Sequence, residues 1–189
     1  SCAAELGVEV EKVRMSYADT STVPVDAPIH ASRGIYSSGL AIQAAARNAK
    51  EQLLEIASWL MNEPADNLEV SNGRVHVISS PDISRPIEDV IDVAESPFMK
   101  DTPEGPVPSS PPELKGTIIG VSSQAPPENP SPATAMFSEV EVDTETGEID
   151  LIRCVYAHDL GKVINQNAAE GQVEGGIQQG MGYALMENL

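Results

Sequence analysis

With 189 residues, 41% of them hydrophobic, the chain is long enough to bury a core as one large domain or two small ones, and too apolar to be a disordered tail. Its 29 acidic against 11 basic residues give a formal net charge of -18, which repels phosphate backbones and anionic lipid surfaces, so neither nucleic acid nor membrane is an expected partner. Cys2 and Cys154 alone cannot build a four-thiolate zinc or iron–sulfur site, and no apolar run approaches the roughly 20 residues that cross a bilayer.

In chain order, Ala3 to Val8 reads as the end of a helix with Gly7 as its stop signal. The chain opens on Ser1 and closes on an uncapped helix at Leu189, so a piece of a larger polypeptide is expected. Lys12 to Tyr17 alternates apolar and polar side chains as a short strand, and Ala18 to Pro28 is turn chemistry. His30, Ala31, Ser32, Arg33 and Gly34 then precede a helix. Small residues, a hydroxyl and an arginine at a helix start make an anion seat; Ser32 as an ordinary N-cap with Arg33 on the surface explains the same residues equally well. From about Tyr36 to Met61, Ile42, Ala46, Ala49, Leu53, Ile56 and Leu60 recur at helical spacing, and Pro64 stops the pattern.

Leu68–Val70 and Arg74–Ile78, joined through Ser71-Asn72-Gly73, read as a hairpin, and Ile87 to Ala94 as a short helix. Ten of the 15 prolines fall between Pro97 and Pro132, which excludes helix and central strand over most of that stretch. Because Lys115 to Ser123 inside it alternates like a strand, residues 97–132 are expected to be a proline-rich excursion from a folded domain rather than a flexible linker. Phe137–Val142 and Glu148–Val155 form a second hairpin across Asp143 to Gly147, with Val140 and Val142 facing Ile149 and Leu151. Its acidic run, Glu139, Glu141, Asp143, Glu145, Glu148 and Asp150, is a solvated face and turn without the calcium-loop pattern. Mixed helices and hairpins of this kind predict an α+β fold, hairpins and a mixed sheet packed with long helices, rather than a doubly wound parallel sheet.

The last segment, Glu170 to Met186, has helical spacing interrupted by Gly171, Gly175, Gly176, Gly180 and Gly182. Each interior helical glycine costs about 1 kcal/mol relative to alanine, so five of them require a reason, and close approach of another element or a ligand to bare backbone supplies it. Gln172, Gln178 and Gln179 add two-sided hydrogen bonders to the same surface. His30 and His158 read first as hydrogen-bonded structural residues. With neither a serine nucleophile elbow nor a His/Cys/carboxylate ligand set, neither triad hydrolysis nor a protein-held metal is expected.

Three segments in order resemble the molybdenum-cofactor-binding large subunit of the xanthine dehydrogenase and aldehyde oxidase family. They are Ala18-Asp19-Thr20 through Ala31-Ser32-Arg33-Gly34 and on to Ala46; the hairpin from Glu139 to Glu148; and Ala157-His158-Asp159-Leu160-Gly161 through Gly171-Gln172-Val173-Glu174-Gly175-Gly176. The resemblance implies that residues 1–189 are a partial molybdopterin-binding domain. It puts Ala31, Ser32, Arg33 and Gly34 beside the pterin and the metal's ligands, Gln172 on the pterin, and Asn165 near the phosphate or nucleotide end. This chain has Asn165-Gln166 where the family usually has Asn-Pro, and His30 where a smaller residue or tyrosine is common.

By the same resemblance the reaction is hydroxylation of an aldehyde or N-heteroaromatic substrate with water as the oxygen source, on a cofactor in the cytosine dinucleotide form. Electrons leave through iron–sulfur clusters and FAD in partner domains or subunits. The family's glutamate base and its other glycine-rich cofactor loop have no counterpart in this sequence, so the chain by itself is expected to be inactive. An oligomer with the remaining molybdopterin-binding segments, in the cytoplasm, is the accompanying expectation. The competing expectations are a cofactor-less scaffold of the same fold and a small-anion-binding module.

Overall fold

The computed structural model describes residues 1–16, 19, 21, 29–96, 100–103, 105–107, 112–114, 116–128 and 130–188. Tyr17, most of the 18–28 turn segment, Pro97, Lys115, Asn129 and Leu189 lie outside them. The chain divides into two compact units, Ser1–Pro127 and Glu128–Leu189.

The first unit contains α1 (Cys2–Leu6), α2 (Gly34–Met61), strands β1 (Leu68–Ser71), β2 (Arg74–Val77) and β3 (Ser80–Pro86), α3 (Ile87–Glu95), and a small hairpin of β4 (Lys100–Thr102) and β5 (Gly105–Val107). The stripe expected on the long helix is present: Ala46, Leu53, Ile56 and Ala57 are its buried residues. Against them pack Leu68, Val70, Val75 and Val77 of the antiparallel sheet β1-β2-β3 and Val90, Val93 and Ala94 of α3. Val75, Val90 and Val93 are fully buried, as β-branched residues with one dominant rotamer suit a close-packed interior. Met61 ends α2 because Asn62 turns left-handed at φ 54, three residues after Trp59 and ahead of Pro64.

The β1–β2 turn has positive φ at both central residues, Asn72 (51°) and Gly73 (72°), the backbone a two-residue hairpin demands. Gly7, at φ 60, caps α1, and its carbonyl accepts the Gly73 N–H at 2.8 Å, which seats the α1 end on the hairpin turn. A Cβ on Gly7 would lie 2.7 Å from the Val70 carbonyl oxygen, so glycine there satisfies both the dihedral and the space.

Two local expectations are corrected and one strand is added. Val10–Lys12 is a 3-10 turn and Val13–Ser16 pairs with no strand, because alternation makes a strand only where a sheet edge is within reach. β3, to which the sequence reading assigned no element, carries Pro81 and Pro86, and proline is tolerated at the edge of a sheet, where its missing N–H faces no partner. Residues 117–123 belong to no ladder among the described residues: what they meet is α2. Gln52 donates its amide to the Ile119 carbonyl at 2.9 Å, and the Val121 N–H donates to Asn48 Oδ1 at 3.3 Å. A close approach of glycine to a helix does occur here, at Gly120, where a Cβ would stand 2.0 Å from the Ala45 carbonyl oxygen and 2.9 Å from Ala49 Cβ.

The second unit is the ribbon β6 (Thr134–Val142) and β7 (Ile149–His158) followed by α4 (Gln166–Leu185). The expected register holds, with Val140 opposite Leu151 and Val142 opposite Ile149, and a bulge beside Glu139. Every β6 residue is exposed and α4 has no buried residue, so the apolar alternation of the ribbon is left uncovered.

Candidate functional site

The residues expected at the site fall into two groups, one in each unit. In the first, His30 to Arg33 form a tight turn: the Arg33 N–H donates to the His30 carbonyl at 3.3 Å, and the central residues Ala31 and Ser32 both have φ 53°. Positive φ at two consecutive non-glycine residues costs about 1–2 kcal/mol each, so this turn is held against local preference. The reading of Ser32 as an ordinary N-cap is overturned. Arg33 occupies the cap position of α2 with no side-chain cap bond, and Ser32 stands one residue earlier in the left-handed region. Arg33 Nε donates to Ser37 Oγ at 3.4 Å, which lays the guanidinium along the first helical turn instead of into solvent. Gly34 opens the helix against Ile29, whose Cδ1 would be 3.2 Å from an added Cβ.

In the second group, Asn165 is the N-cap of α4. Its side chain accepts the Ala168 N–H at 3.0 Å, leaving the Gln166 and Asn167 N–H groups without an intrahelical acceptor. Gln166 stands at the first helical position, where proline is favoured because no intrahelical N–H bond is needed; its replacement of proline therefore leaves the cap intact. Gln172 lies two turns on, about 10 Å along the axis on the side of Asn165. Gln172, Gly175, Gly176 and Gln179 recur at i, i+3, i+4 and i+7, one face of the helix.

Among the described residues, nothing beyond the adjoining residues and the backbone of α4 itself lies within 4 Å of a Cβ built at Gly171, Gly175, Gly176 or Gly180. Within the second unit, no described residue makes the close approach expected at these glycines, and the strip stands open there. Gly182 differs, since the Glu187 carboxylate reaches to 2.6 Å of its added Cβ.

Three other chemical candidates resolve as structural. His158 Nδ1 meets the Tyr156 hydroxyl at 3.0 Å and their rings stack at 5.6 Å, an alternate-residue pair on one face of β7 whose significance the sequence signalled only as aromatic spacing. Asp159 accepts the Gly161 N–H at 2.9 Å as a turn residue. The acidic run is exposed, and no group of three or more metal-ligating side chains occurs among the described residues. Asp143 accepts the N–H groups of Glu145 at 2.7 Å and Thr146 at 3.1 Å, which hold its carboxyl below the usual aspartate range.

Residues that would hold a large anionic pterin need N–H donors and little bulk. The capped α4 start with two spare N–H groups, an uncovered four-glycine strip and Gln172 on that helix fit such a group.

A family described as the molybdopterin cofactor-binding domain matches residues 1–189. The xanthine dehydrogenase molybdenum-binding subunit of Escherichia coli O157:H7 is 30% identical over 188 residues, covering 99% of this chain and 23% of that one. The carbon monoxide dehydrogenase large chain of Afipia carboxidovorans is 26% identical over 187 residues, covering 99% and 22%. Among solved structures, a Cu,Mo-CO dehydrogenase matches with TM-score 0.77 and 26% identity over 93% of this chain and 21% of that one. Quinoline 2-oxidoreductase from Pseudomonas putida 86 shares the fold at TM-score 0.85 and 24% identity, over 100% and 23%. The chain spans less than a quarter of the length of these curated relatives. Residues 1–189 belong to the molybdopterin cofactor-binding domain family, in the form found within the large, molybdenum-binding subunits of xanthine dehydrogenase-type oxidoreductases.

Proposed function

We propose that this chain supplies part of the wall of a molybdenum hydroxylase's cofactor site, with Ala31, Ser32, Arg33 and Gly34 of the pre-α2 turn and Asn165 and Gln172 of α4 as the contacts. The observation that carries this reading is the α4 strip: glycines that cost a helix stability stand uncovered, directly beside an amide that both donates and accepts. Packing against a helix would also use small residues, yet it would not call for Gln172 and Gln179 on the same face, where each would have to be satisfied in a tight interface.

Within this reading the bound cofactor supplies oxygen transfer from water and the two-electron redox step. The chain's own residues hold and orient it. Gln172 donates and accepts at the pterin edge. The Gln166 and Asn167 N–H groups, with the positive end of the α4 dipole, favour the phosphate or nucleotide end, in the cytosine dinucleotide form. The turn at Ala31 and Ser32 brings backbone up to the cofactor without bulk, and Arg33 adds a positive charge. Base catalysis, the remaining molybdopterin-binding segments, the iron–sulfur clusters and FAD come from partner domains or subunits, and the substrate is an aldehyde or N-heteroaromatic ring. A cytoplasmic oligomer belongs to the same reading; no helix among the described residues is long and apolar enough to cross a membrane.

Gln172→Ala in the natural complex tests the assignment. Loss of two hydrogen bonds at about 1 kcal/mol each lowers cofactor retention by roughly tenfold or more, read as pterin and molybdenum released per chain on gel filtration, with secondary structure unchanged. Retention equal to that of the unaltered complex would sink the role given to Gln172.

A further inference from the structure

Away from the open glycine strip, the second unit has a cleft of about 320 Å³ between the end of β7, the segment after it and the first turns of α4. Its wall is the stacked Tyr156–His158 pair, its apolar lining Leu160, Val163 and Val173, and its rim Glu170 and Glu174, one turn apart on α4. The two carboxylates differ. Glu170 accepts the Gln166 side-chain amide at 2.6 Å, whereas no hydrogen bond or ion pair engages Glu174 among the described residues, and neither has a cationic partner there. No lysine or arginine lines the cleft, in a chain whose net charge is already -18.

We infer that this cleft receives an arginine side chain from a polypeptide surface outside residues 1–189. The chemistry favours arginine over any other occupant. Its aliphatic stem is at home on Leu160, Val163 and Val173; its planar guanidinium stacks on aromatic faces such as those of Tyr156 and His158; and its fork of donors suits two carboxylates on one helix face. Lysine offers a point charge that neither stacks nor forks. A neutral or acidic partner that covered the cleft would strip water from the exposed Glu170 and Glu174 carboxylates without supplying an opposite charge, and a second copy of this chain brings the same negative field. The inference does not depend on the cofactor assignment: the cleft shares none of Asn165, Gln172 or the pre-α2 turn, and Gln166, which lines it, contributes its side chain here and only its backbone N–H to the cofactor reading.

The test uses the isotope-labelled 189-residue chain, titrated with acetyl-Ala-Arg-Ala-amide, with the citrulline and lysine peptides as comparisons. The arginine peptide should shift the Tyr156 and His158 ring signals saturably. The citrulline peptide, uncharged but of the same shape, should bind at least tenfold more weakly, and the lysine peptide should be weaker than arginine. Glu174→Gln, a change at an exposed position, should weaken arginine binding by about three- to tenfold while leaving the spectrum of the first unit in place. Shifts of equal size with citrulline or lysine, shifts centred instead on the acidic β6–β7 turn, no shift at all, or an unchanged Glu174→Gln titration would each overturn the inference.

Discussion

Two single residues show how much depends on one methyl group or one proton. Gly120 crosses α2 so closely that a Cβ would overlap the Ala45 carbonyl oxygen at 2.0 Å. Because the blocking atom is helix backbone, the strap must lift, breaking the Gln52 and Asn48 bonds that hold it. Gly120→Ala should therefore destabilise the first unit by about 1–3 kcal/mol, a cost typical of overpacking, seen as a lowered urea midpoint; a variant of unchanged stability would mean that the strap is not seated there. Asp143 gives a pH-dependent case. Its carboxylate is favoured by two turn N–H groups, so its folded value lies below the ordinary one. The turn's support is complete above the ordinary aspartate value of about 3.9 and is lost as the pH falls through the lowered folded value. The Glu145 and Thr146 amide signals should move with a midpoint below that ordinary value; a midpoint at or above it contradicts the turn geometry.

At the scale of elements, α4 separates stability from function. Nothing stands within 4 Å of a Cβ at Gly175 or Gly176, and alanine is a better helix former by about 1 kcal/mol per site. In the isolated chain Gly175→Ala/Gly176→Ala should raise helicity and thermal stability; in the natural complex the same change should lower molybdenum and pterin retention. Improved stability in both settings would leave the glycines without a role. The same helix shows what the sequence made legible. Helical period and the burdened glycines could be read, as could α2, the Asn72-Gly73 hairpin turn, α3 and the β6–β7 register, because each rests on local pattern, whereas the Asn165 cap, which starts α4 at Gln166 and not at the expected Glu170, was not anticipated. What was not legible depended on neighbours. The edge strand β3 hides behind prolines, Lys12 to Ser16 alternates without a partner, and residues 117–123 find a helix instead of a strand. At the site, the left-handed φ of Ala31 and Ser32 could not be anticipated from residues that disfavour it, which moved the helix cap from Ser32 to Arg33.

For the molecule as a whole, the distribution of burial ties fold to function. Among the described residues the buried hydrophobic ones lie between Ala3 and Ala94, so the first unit carries a core of its own, while the ribbon and α4 expose Phe137, Val140, Val142 and Tyr183. A unit that leaves its apolar alternation and its glycine strip uncovered is suited to be completed by something else, and the proposed reading takes a cofactor and a larger subunit as that completion. The most direct measurement is metal and pterin analysis of the natural complex isolated through this chain under anaerobic conditions, by elemental mass spectrometry and nucleotide release. The account predicts molybdenum in stoichiometric amount, with a cytidine nucleotide and co-purifying iron–sulfur and flavin proteins. A stable complex holding neither molybdenum nor pterin, with its natural partners present, would contradict it and leave a scaffold that kept the fold without the cofactor.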